Sequence, residues 1–331
     1  GLGPPAQVTP TAVRRVGAAD SPTASINFVD GRVAATIALV DTGIDRHPDL
    51  NLVGGKDCVS GGSGGHDHDG YLNRSGQPVG HGTLVAGVAA AIDNTSGVVG
   101  VAPGARLLSA KAVDASGQST TEALLCALEF AMQPEQQTDV INISLAWSAG
   151  RFLSSGATCG TDVDPIHEAI CSAVDQGISV VVAAGNEGRD VAGQLPDYTA
   201  TYPAAYPEVV TVSMIADFDG APGGRAAAPP CGNGQLDDHL RTTSNFGWPV
   251  DIAAVGLCVL TTGLGGGTVT SGGTSLSSPA VAGAVALLRA ASGHEITTAE
   301  VRARLLGGAE PGPIPGDPDG FPEGILDVSD H

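Results

Sequence analysis

The chain has 331 residues, of which 42 % are hydrophobic and only 15 % are charged, so it can bury a large core. Its formal net charge of −20 argues against nucleic acid or an anionic membrane as a partner, because both repel such a surface. No run reaches the roughly 18 apolar residues of a membrane-spanning helix, and the first residues lack a basic region followed by an apolar one. We expect one domain over residues 1–331, in a mature form that has lost its signal peptide.

Short β-branched runs alternate along the chain with longer patterns rich in alanine, leucine and glycine. The predicted strands are Ala35–Asp41, Ala105–Val113, Asp139–Leu145, Ile178–Ala184, Val209–Met214 and Val250–Ala254. The predicted helices are Gly82–Ile92, Thr120–Met132, Pro165–Gln176, Ser275–Ala291 and Thr298–Leu306. This alternation favours an α/β fold with a parallel, mostly central twisted sheet and helices on both faces.

Three stretches rich in glycine and proline separate these elements and are predicted to be surface loops. They are Gly54–Gly80, Trp147–Asp164 and Asp217–Phe246. The first contains His66-Asp67-His68-Asp69, whose imidazoles and carboxylates are possible metal ligands, but a solvated loop is the favoured interpretation.

The six cysteines form no Cys-x-x-Cys pair and no zinc-ligand spacing. An even set of this kind favours disulfides and an oxidising compartment, with free buried thiols of a cytosolic protein as the alternative. Many pairings are possible. Because each predicted insertion carries a cysteine near one on a regular element, we favour Cys58–Cys126, Cys159–Cys171 and Cys231–Cys258.

Three polar residues stand where predicted strands end or helices begin. Asp41 ends the first strand, while His81 and Ser275 each open a helix. In an open parallel sheet these positions converge at the carboxyl edge. A serine hydroxyl becomes nucleophilic when a neutral imidazole accepts its proton, and a buried carboxylate orients that imidazole. The three residues are therefore candidates for nucleophile, base and orienting acid.

The motifs around these residues resemble those of the subtilisin-like serine proteases in sequence and in order. They are Asp41-Thr42-Gly43-Ile44-Asp45, His81-Gly82-Thr83-Leu84-Val85-Ala86-Gly87 and Gly273-Thr274-Ser275-Leu276-Ser277-Ser278-Pro279. The resemblance runs almost from end to end of the chain. It implies a three-layer fold and a secreted serine endopeptidase that acts through an acyl-enzyme. It also implies a propeptide that assists folding and inhibits the enzyme.

The same resemblance implies the residues that bind substrate. Asn186, in a segment that resembles the family's oxyanion segment, would donate to the oxyanion. Two extended segments would hold the peptide as an added strand, Gly117-Gln118-Ser119 and Ser144-Leu145-Ala146. The pocket for the residue before the cleaved bond would be lined by Ala183, Ala184, Gly185 and Thr201, with Glu187 near its rim.

Several residues depart from the family pattern. Leu276 stands beside the nucleophile in place of a usual methionine, and the loss of a thioether there predicts tolerance of oxidants. Ala146 and Trp147 replace a segment of the glycine-glycine type, which predicts a narrower pocket. Leu84 stands where the family usually has histidine, Ser277 where it has alanine, and Val255 where it has proline.

The resemblance also implies a structural calcium site. Its ligands would be the side chains of Gln7, Asp49 and Asn94 and the carbonyl oxygens of Ile92, Ser96 and Val98. Hard oxygen donors of this kind suit calcium. A solvated turn is the alternative for this loop.

Two other functions would use the same fold or the same residues. A catalytically silent binding module would have no physical need of all four functional side chains. A serine esterase or acyl-transfer enzyme would need them, but the peptide-binding segments favour polypeptide substrates. We therefore expect a secreted endopeptidase that acts as a monomer.

Overall fold

The computed structural model describes residues 6–60, 79–149, 158–160, 164–193 and 199–331. The strands are β1 Thr36–Asp41, β2 Leu52–Asp57, β3 Arg106–Lys111, β4 Val140–Ile143, β5 Trp147–Ala149, β6 Ser179–Ala183, β7 Ala200–Tyr202, β8 Val210–Ala216, β9 His239–Leu240, β10 Ile252–Val255, β11 Val259–Thr262, β12 Thr268–Ser271 and β13 Gly324–Ile325. The helices are α1 Thr11–Arg15, α2 His81–Ala90, α3 Thr121–Ala131, α4 Pro165–Asp175, α5 Thr274–Ala291 and α6 Thr298–Gly308.

The main sheet joins strands that are distant in the chain. Its order is β13-β10-β8-β6-β4-β1-β3-β2, and all neighbours in this path are parallel. The short strand β9 pairs with β8 in the antiparallel sense. Strand β1 lies between β3 and β4; on one side the chain continues outward through β4, β6, β8 and β10, and on the other side β3 separates β1 from the edge strand β2. Asp41, the last residue of β1, therefore lies at the edge where doubly wound sheets bind ligands.

Two apolar layers cover the faces of this sheet. In β1, Ile37 and Leu39 belong to the layer that contains α2 and α5, whereas Ala38 and Val40 belong to the layer that contains α3 and α4. A fully buried aliphatic side chain contributes about 1.5–3 kcal/mol to stability, so both layers stabilise the strand that ends in Asp41. Helices on both faces of a parallel sheet confirm the predicted α/β fold.

Every predicted strand and helix is present, with ends that shift by at most two residues. The loop predictions were wrong in part. Strand β2 includes residues 54–57 of the first predicted loop, β5 begins the second, and β9 interrupts the third. These strands are short or lie at an edge of a sheet, and their hydrogen-bonding partners define them more than any alternation of apolar residues does.

Three disulfides tie the insertions to the sheet and helices. They join Cys58 to Cys126, Cys159 to Cys171 and Cys231 to Cys258, which confirms the favoured pairing. Cys126 lies in α3 and Cys171 in α4. In the parts of the chain that the structure describes, no helix combines the length and apolar character that a membrane span requires.

Candidate active site

The three polar residues singled out by the sequence meet at the carboxyl edge of the sheet. Asp41 ends β1, His81 is the first residue of α2, and Ser275 lies in the first turn of α5. His81 and Ser275 line one cavity of about 210 Å³, which Asn186 also lines.

Asp41 holds the imidazole of His81 through a short hydrogen bond. Asp41 Oδ1 lies 2.7 Å from His81 Nδ1, and the side chains are 1 % and 24 % exposed. A buried carboxylate at Nδ1 fixes the ring proton there and leaves Nε2 as a proton acceptor. Gly82 allows this approach of α2 to β1, because a Cβ at Gly82 would lie 2.0 Å from the carbonyl oxygen of Gly43.

Ser275 is held by two hydrogen bonds to Ser144, the residue that directly follows β4. Pro279 has no N–H to bond the carbonyl of Ser275 four residues earlier. The Ser144 hydroxyl donates to that carbonyl at 3.1 Å instead, while Ser275 Oγ donates to the Ser144 carbonyl at 3.4 Å. Ser144 Oγ also bonds the buried side chains of Asn142 and Ser278, at 2.9 and 3.0 Å.

Asn186 is oriented by the residue that precedes Ser275. Asn186 Oδ1 accepts hydrogen bonds from the N–H of Thr274 at 2.9 Å and from its hydroxyl at 3.2 Å. The carboxamide oxygen is thereby occupied, which leaves the Nδ2 donors of Asn186 for the cavity. Thr274 Oγ1 in turn accepts the N–H of Gly185 at 3.2 Å.

The predicted substrate-binding residues line two adjoining cavities, with two exceptions. The first cavity includes Gly117, Ser144, Leu145, Ala146, Ala183, Gly185 and Glu187. The second, of about 350 Å³, shares Gly117, Leu145 and Ala146 with the first and adds Gln118, Ser119 and Trp147. Ala184 and Thr201 are buried and line neither of these two cavities. We refer to these two adjoining cavities together as the cleft; Ser275 lines only the first of them.

Comparison with known proteins identifies the family. Residues 33–324 match the model of the subtilase family. The chain belongs to that family.

Its relatives include an intracellular serine protease of Paenibacillus polymyxa, which is 34 % identical over 277 residues, or 82 % of this chain and 72 % of the relative. Subtilisin DY of Bacillus licheniformis is 34 % identical over 270 residues, which are 81 % of each chain. The crystal structure of a cold adapted subtilisin-like serine proteinase aligns with 97 % of this chain and 98 % of its own, with a TM-score of 0.69 and 22 % identity, which supports the fold. This subtilase is a serine endopeptidase.

The predicted calcium ligands of the subtilase lie together next to the end of α2. Asp49 is 4 % exposed, and burial raises the pKa of its carboxyl above the usual range. Its Oδ2 accepts the N–H of Val98 at 3.0 Å, and its Oδ1 accepts the side-chain amide of Asn94 at 2.6 Å. The side-chain oxygen of Gln7 accepts the backbone N–H of Asn94.

The backbone of this loop fits an oxygen-coordinated cation. Among the described residues, no donor bonds the carbonyl oxygens of Ile92, Ser96 or Val98; Ile92 and Val98 are buried, and buried carbonyls normally need a partner. Gly97 has φ 70°, and a Cβ there would lie 2.3 Å from Asp49 Oδ2, so only glycine lets the loop close on the carboxylate. The donor set suits calcium. Asn94 would have to turn its carboxamide oxygen inward, because its nitrogen faces Asp49.

Two other groups of acidic side chains were not anticipated from the sequence. Their oxygens lie within 4.8 Å of one another, and the groups are Asp217, Asp219 and Asp237, and Asp317, Asp319 and Glu323. Burial raises the pKa of Asp217 and of Glu323 to about 7 in each case. Arg15 Nε lies 3.3 Å from Asp217 Oδ2 and offsets charge in the first group. The predicted alternative metal site, residues 66–69, lies outside the described residues.

Proposed function

We propose that Ser275 is the nucleophile of this subtilase, His81 its general base, Asp41 the orienting acid and Asn186 the oxyanion donor. The observation that carries the proposal is the 2.7 Å bond from Asp41 to His81 at a cavity that Ser275 and Asn186 also line. A catalytically silent binding module would not need this convergence, and cavity walls formed by residues 117–119 and 144–146 favour a polypeptide substrate over a small ester.

The reaction would proceed in two stages. In the first, Ser275 Oγ bonds the peptide carbonyl carbon while its proton passes to His81 Nε2. Collapse of the tetrahedral intermediate breaks the C–N bond, and His81 returns the proton to the leaving amine. In the second, His81 takes a proton from the water that attacks the acyl carbon and gives it to Ser275 Oγ as the ester C–O bond breaks, which releases the acid product and restores Ser275. Asp41 stabilises the imidazolium in both stages.

Asn186 would act on the carbonyl oxygen as that atom gains charge. Its Nδ2 and the N–H of Ser275 at the start of α5 are the two donors. A donor aimed at the oxyanion stabilises the transition state more than the substrate. The corresponding amide of a subtilisin contributes about 3–4 kcal/mol, or about 10²–10³ in kcat.

The decisive experiment combines a serine-reactive phosphonate with a peptide library. We expect the wild-type chain to be labelled and to cleave internal peptide bonds, and Ser275→Ala to do neither. Ser172→Ala, which removes an exposed hydroxyl on α4 outside both cavities, is the matched control and should behave like wild type. Undiminished labelling of Ser275→Ala would refute the assignment of the nucleophile. Labelling with cleavage of esters but of no peptide would favour the esterase.

The cleft favours an extended polypeptide as substrate. Residues 117–119 and 144–146 lie on its walls, where backbone groups can pair with a peptide strand. The second cavity is lined by Leu124, Leu145, Trp147 and Ile166, so an apolar side chain several residues before the cleaved bond would fill it. A peptide library should therefore show selection at that position.

We also propose that Gln7, Asp49, Ile92, Asn94, Ser96 and Val98 hold a structural calcium ion. Such an ion would offset the buried charge of Asp49 and join the N-terminal segment to the loop after α2. We expect a chelator to lower the thermal midpoint of the wild-type chain and to have little effect on Asn94→Ala, whose midpoint should already be low. An unchanged wild-type midpoint would contradict the site.

Secretion, a removed propeptide and a monomeric, single-domain enzyme complete the proposal. Three disulfides support an oxidising compartment, because thiols are kept reduced in the cytosol. Refolding of the reduced, denatured mature chain should fail without its propeptide and succeed when that segment is added. Efficient refolding of the mature chain alone would contradict a folding role of the propeptide.

A further inference from the structure

Asn245 lies directly behind the segment that carries Asn186. Its side chain is fully buried, with 0 % exposure. Residues 243–246 run beside residues 188–191, with a parallel bridge between Asp190 and Phe246 and a hydrogen bond from the Gly188 N–H to the Thr243 carbonyl at 3.0 Å. Asn245 is therefore part of a backbone scaffold that borders the cleft without lining it.

Asn245 bonds the two residues that precede Asn186. The Asn245 N–H donates to the carbonyl of Gly185 at 3.0 Å, and its Nδ2 donates to the carbonyl of Ala184 at 2.9 Å. These contacts fix the end of β6 as the chain leaves the sheet.

Asn245 also bonds the residues that follow Asn186. Its Oδ1 accepts the N–H groups of Glu187 at 3.0 Å and of Arg189 at 3.2 Å. Its Nδ2 donates to Glu187 Oε2 at 2.9 Å, and the same oxygen accepts the N–H of Asn186 at 3.0 Å. The carboxylate of Glu187 is thereby held against its own loop, where a basic side chain of the substrate would have to compete with these donors.

The glycine before Asn186 permits this arrangement. Gly185 has φ 104°, and a Cβ there would lie 2.4 Å from Asn245 Nδ2 and 2.8 Å from Glu187 Oε2. Any other residue would separate Asn245 from the loop. The packing of Asn245 against the loop that carries Asn186 thus depends on a glycine at position 185.

We propose that Asn245 is a positioning residue for the oxyanion donor. It holds the backbone on both sides of Asn186, so the Asn186 amide is aimed before the substrate arrives. This inference rests on the proposed role of Asn186. It extends that role, because a donor contributes to catalysis only if its orientation is fixed in advance.

Only a carboxamide meets these demands. The side chain of Asn245 must donate to a carbonyl and to a carboxylate while it accepts from two N–H groups. An aspartate would accept from the N–H groups but would lose both donors and face the Glu187 carboxylate. Alanine would leave the carbonyl of Ala184 and the N–H groups of the loop unpaired.

A double-mutant cycle tests the proposal on the disulfide-intact enzyme, with rates normalised to titrated active sites. We expect Asn245→Ala to lower kcat about 10- to 100-fold with a smaller change in KM, and Asn186→Ala to lower kcat about 10²- to 10³-fold. In the Asn186→Ala background, Asn245→Ala should cost less than about 3-fold, because the donor it positions is gone.

The outcomes separate this inference from the proposal on which it rests. If Asn186→Ala leaves kcat unchanged, the oxyanion role itself fails. If Asn186→Ala is impaired but Asn245→Ala has no effect, or has the same effect with and without Asn186, then Asn245 does not act through Asn186. A merely structural role would give the second pattern, since lost packing impairs both backgrounds alike.

Two further variants protect the test against loss of folding. Asn245→Asp keeps the shape of the side chain, and we expect the same kcat loss and the same dependence on Asn186 if Asn245→Ala does not fold. Asn51→Ala is the matched control. Asn51 directly precedes β2, and its side-chain amide also donates to a backbone carbonyl, that of Gly104, at 2.8 Å. This control variant should leave kcat unchanged.

Discussion

Replacement of Glu323 by glutamine should stabilise this subtilase at high pH. Glu323 precedes β13 and is only 6 % exposed, and the hydroxyl of Ser213 lies 3.5 Å from its Oε1. Asp317 and Asp319 share its surroundings. One oxygen of Asp317 is buried without a hydrogen-bond partner among the described residues. A glutamine amide could donate to that oxygen, whereas the ionised glutamate repels it.

The magnitude follows from the pKa of Glu323. Burial first, and then the charge of Asp317, raises the pKa of Glu323 from 4.5 to about 7. The folded chain therefore binds this proton more tightly than the unfolded chain does. The resulting stabilisation is fully present below pH 4.5 and is lost as the pH rises through 7. The rise in pKa corresponds to about 3 kcal/mol, the largest gain that Glu323→Gln can produce from this source.

The assay is denaturant unfolding of Glu323→Gln and its parent from pH 5 to pH 8. Both would carry Ser275→Ala to prevent autolysis, in a buffer with a chelator so that the carboxylates titrate without a divalent cation. The difference in the free energy of unfolding should grow with pH and reach up to about 3 kcal/mol at pH 8. Glu295→Gln, an exposed control, should show no such growth. A difference that does not depend on pH, or a loss of stability at pH 8, would refute the reasoning.

Three other substitutions probe the site and its support. Ser144→Ala should lower the free energy of unfolding by about 1–3 kcal/mol and also reduce kcat, because the carbonyl of Ser275 loses its donor; unchanged denaturation and kinetics would contradict this. Leu276→Met introduces a thioether beside Ser275 and should speed inactivation by peroxide, so equal inactivation rates would show that Leu276 gives no protection. Arg302→Met removes hydrogen bonds to the carbonyls of Pro207 and Val209 and to the carboxylate of Asp251. Burial already raises the pKa of Asp251, so the variant should lower the free energy of unfolding by about 1–3 kcal/mol. An unchanged free energy of unfolding would mean that solvent compensates for the lost partner of Asp251.

The ranges of the central strands and helices, and the polar residues at their ends, could be read from the chain, whereas the order of the strands in the sheet could not. Strand β1 is a continuous apolar run that ends in Asp41, and α2 and α5 begin at or next to His81 and Ser275. Elements of this kind carry a strong local signal, because burial on both faces selects β-branched residues and small helical residues along the whole segment. The disulfide pairing could be inferred for a similar reason, since each insertion offered one cysteine near a regular element.

The local sequence did not reveal strands that form only because a neighbouring strand of this chain offers them hydrogen bonds. Strand β2 contains two glycines and lies at the edge of the sheet, and β5 pairs with β7 across an antiparallel contact that joins Trp147 to Tyr202. Such strands have no apolar alternation of their own. Nor did local sequence reveal that Thr201, which we predicted to line the pocket, is buried and lines neither cavity.

The sequence by itself determined which residues could react, because the types and order of Asp41, His81 and Ser275 meet the chemical needs of acyl transfer. Only the tertiary structure decided what aims them. Ser144 donates to the carbonyl of Ser275, which Pro279 cannot bond, although the two serines are 131 residues apart. Asn245 holds the loop of Asn186 through a bond to the carbonyl of Ala184, from which it is separated by 61 residues. Hydrogen bonds over such separations leave no periodic trace in a sequence, because they depend on which surfaces the fold brings together.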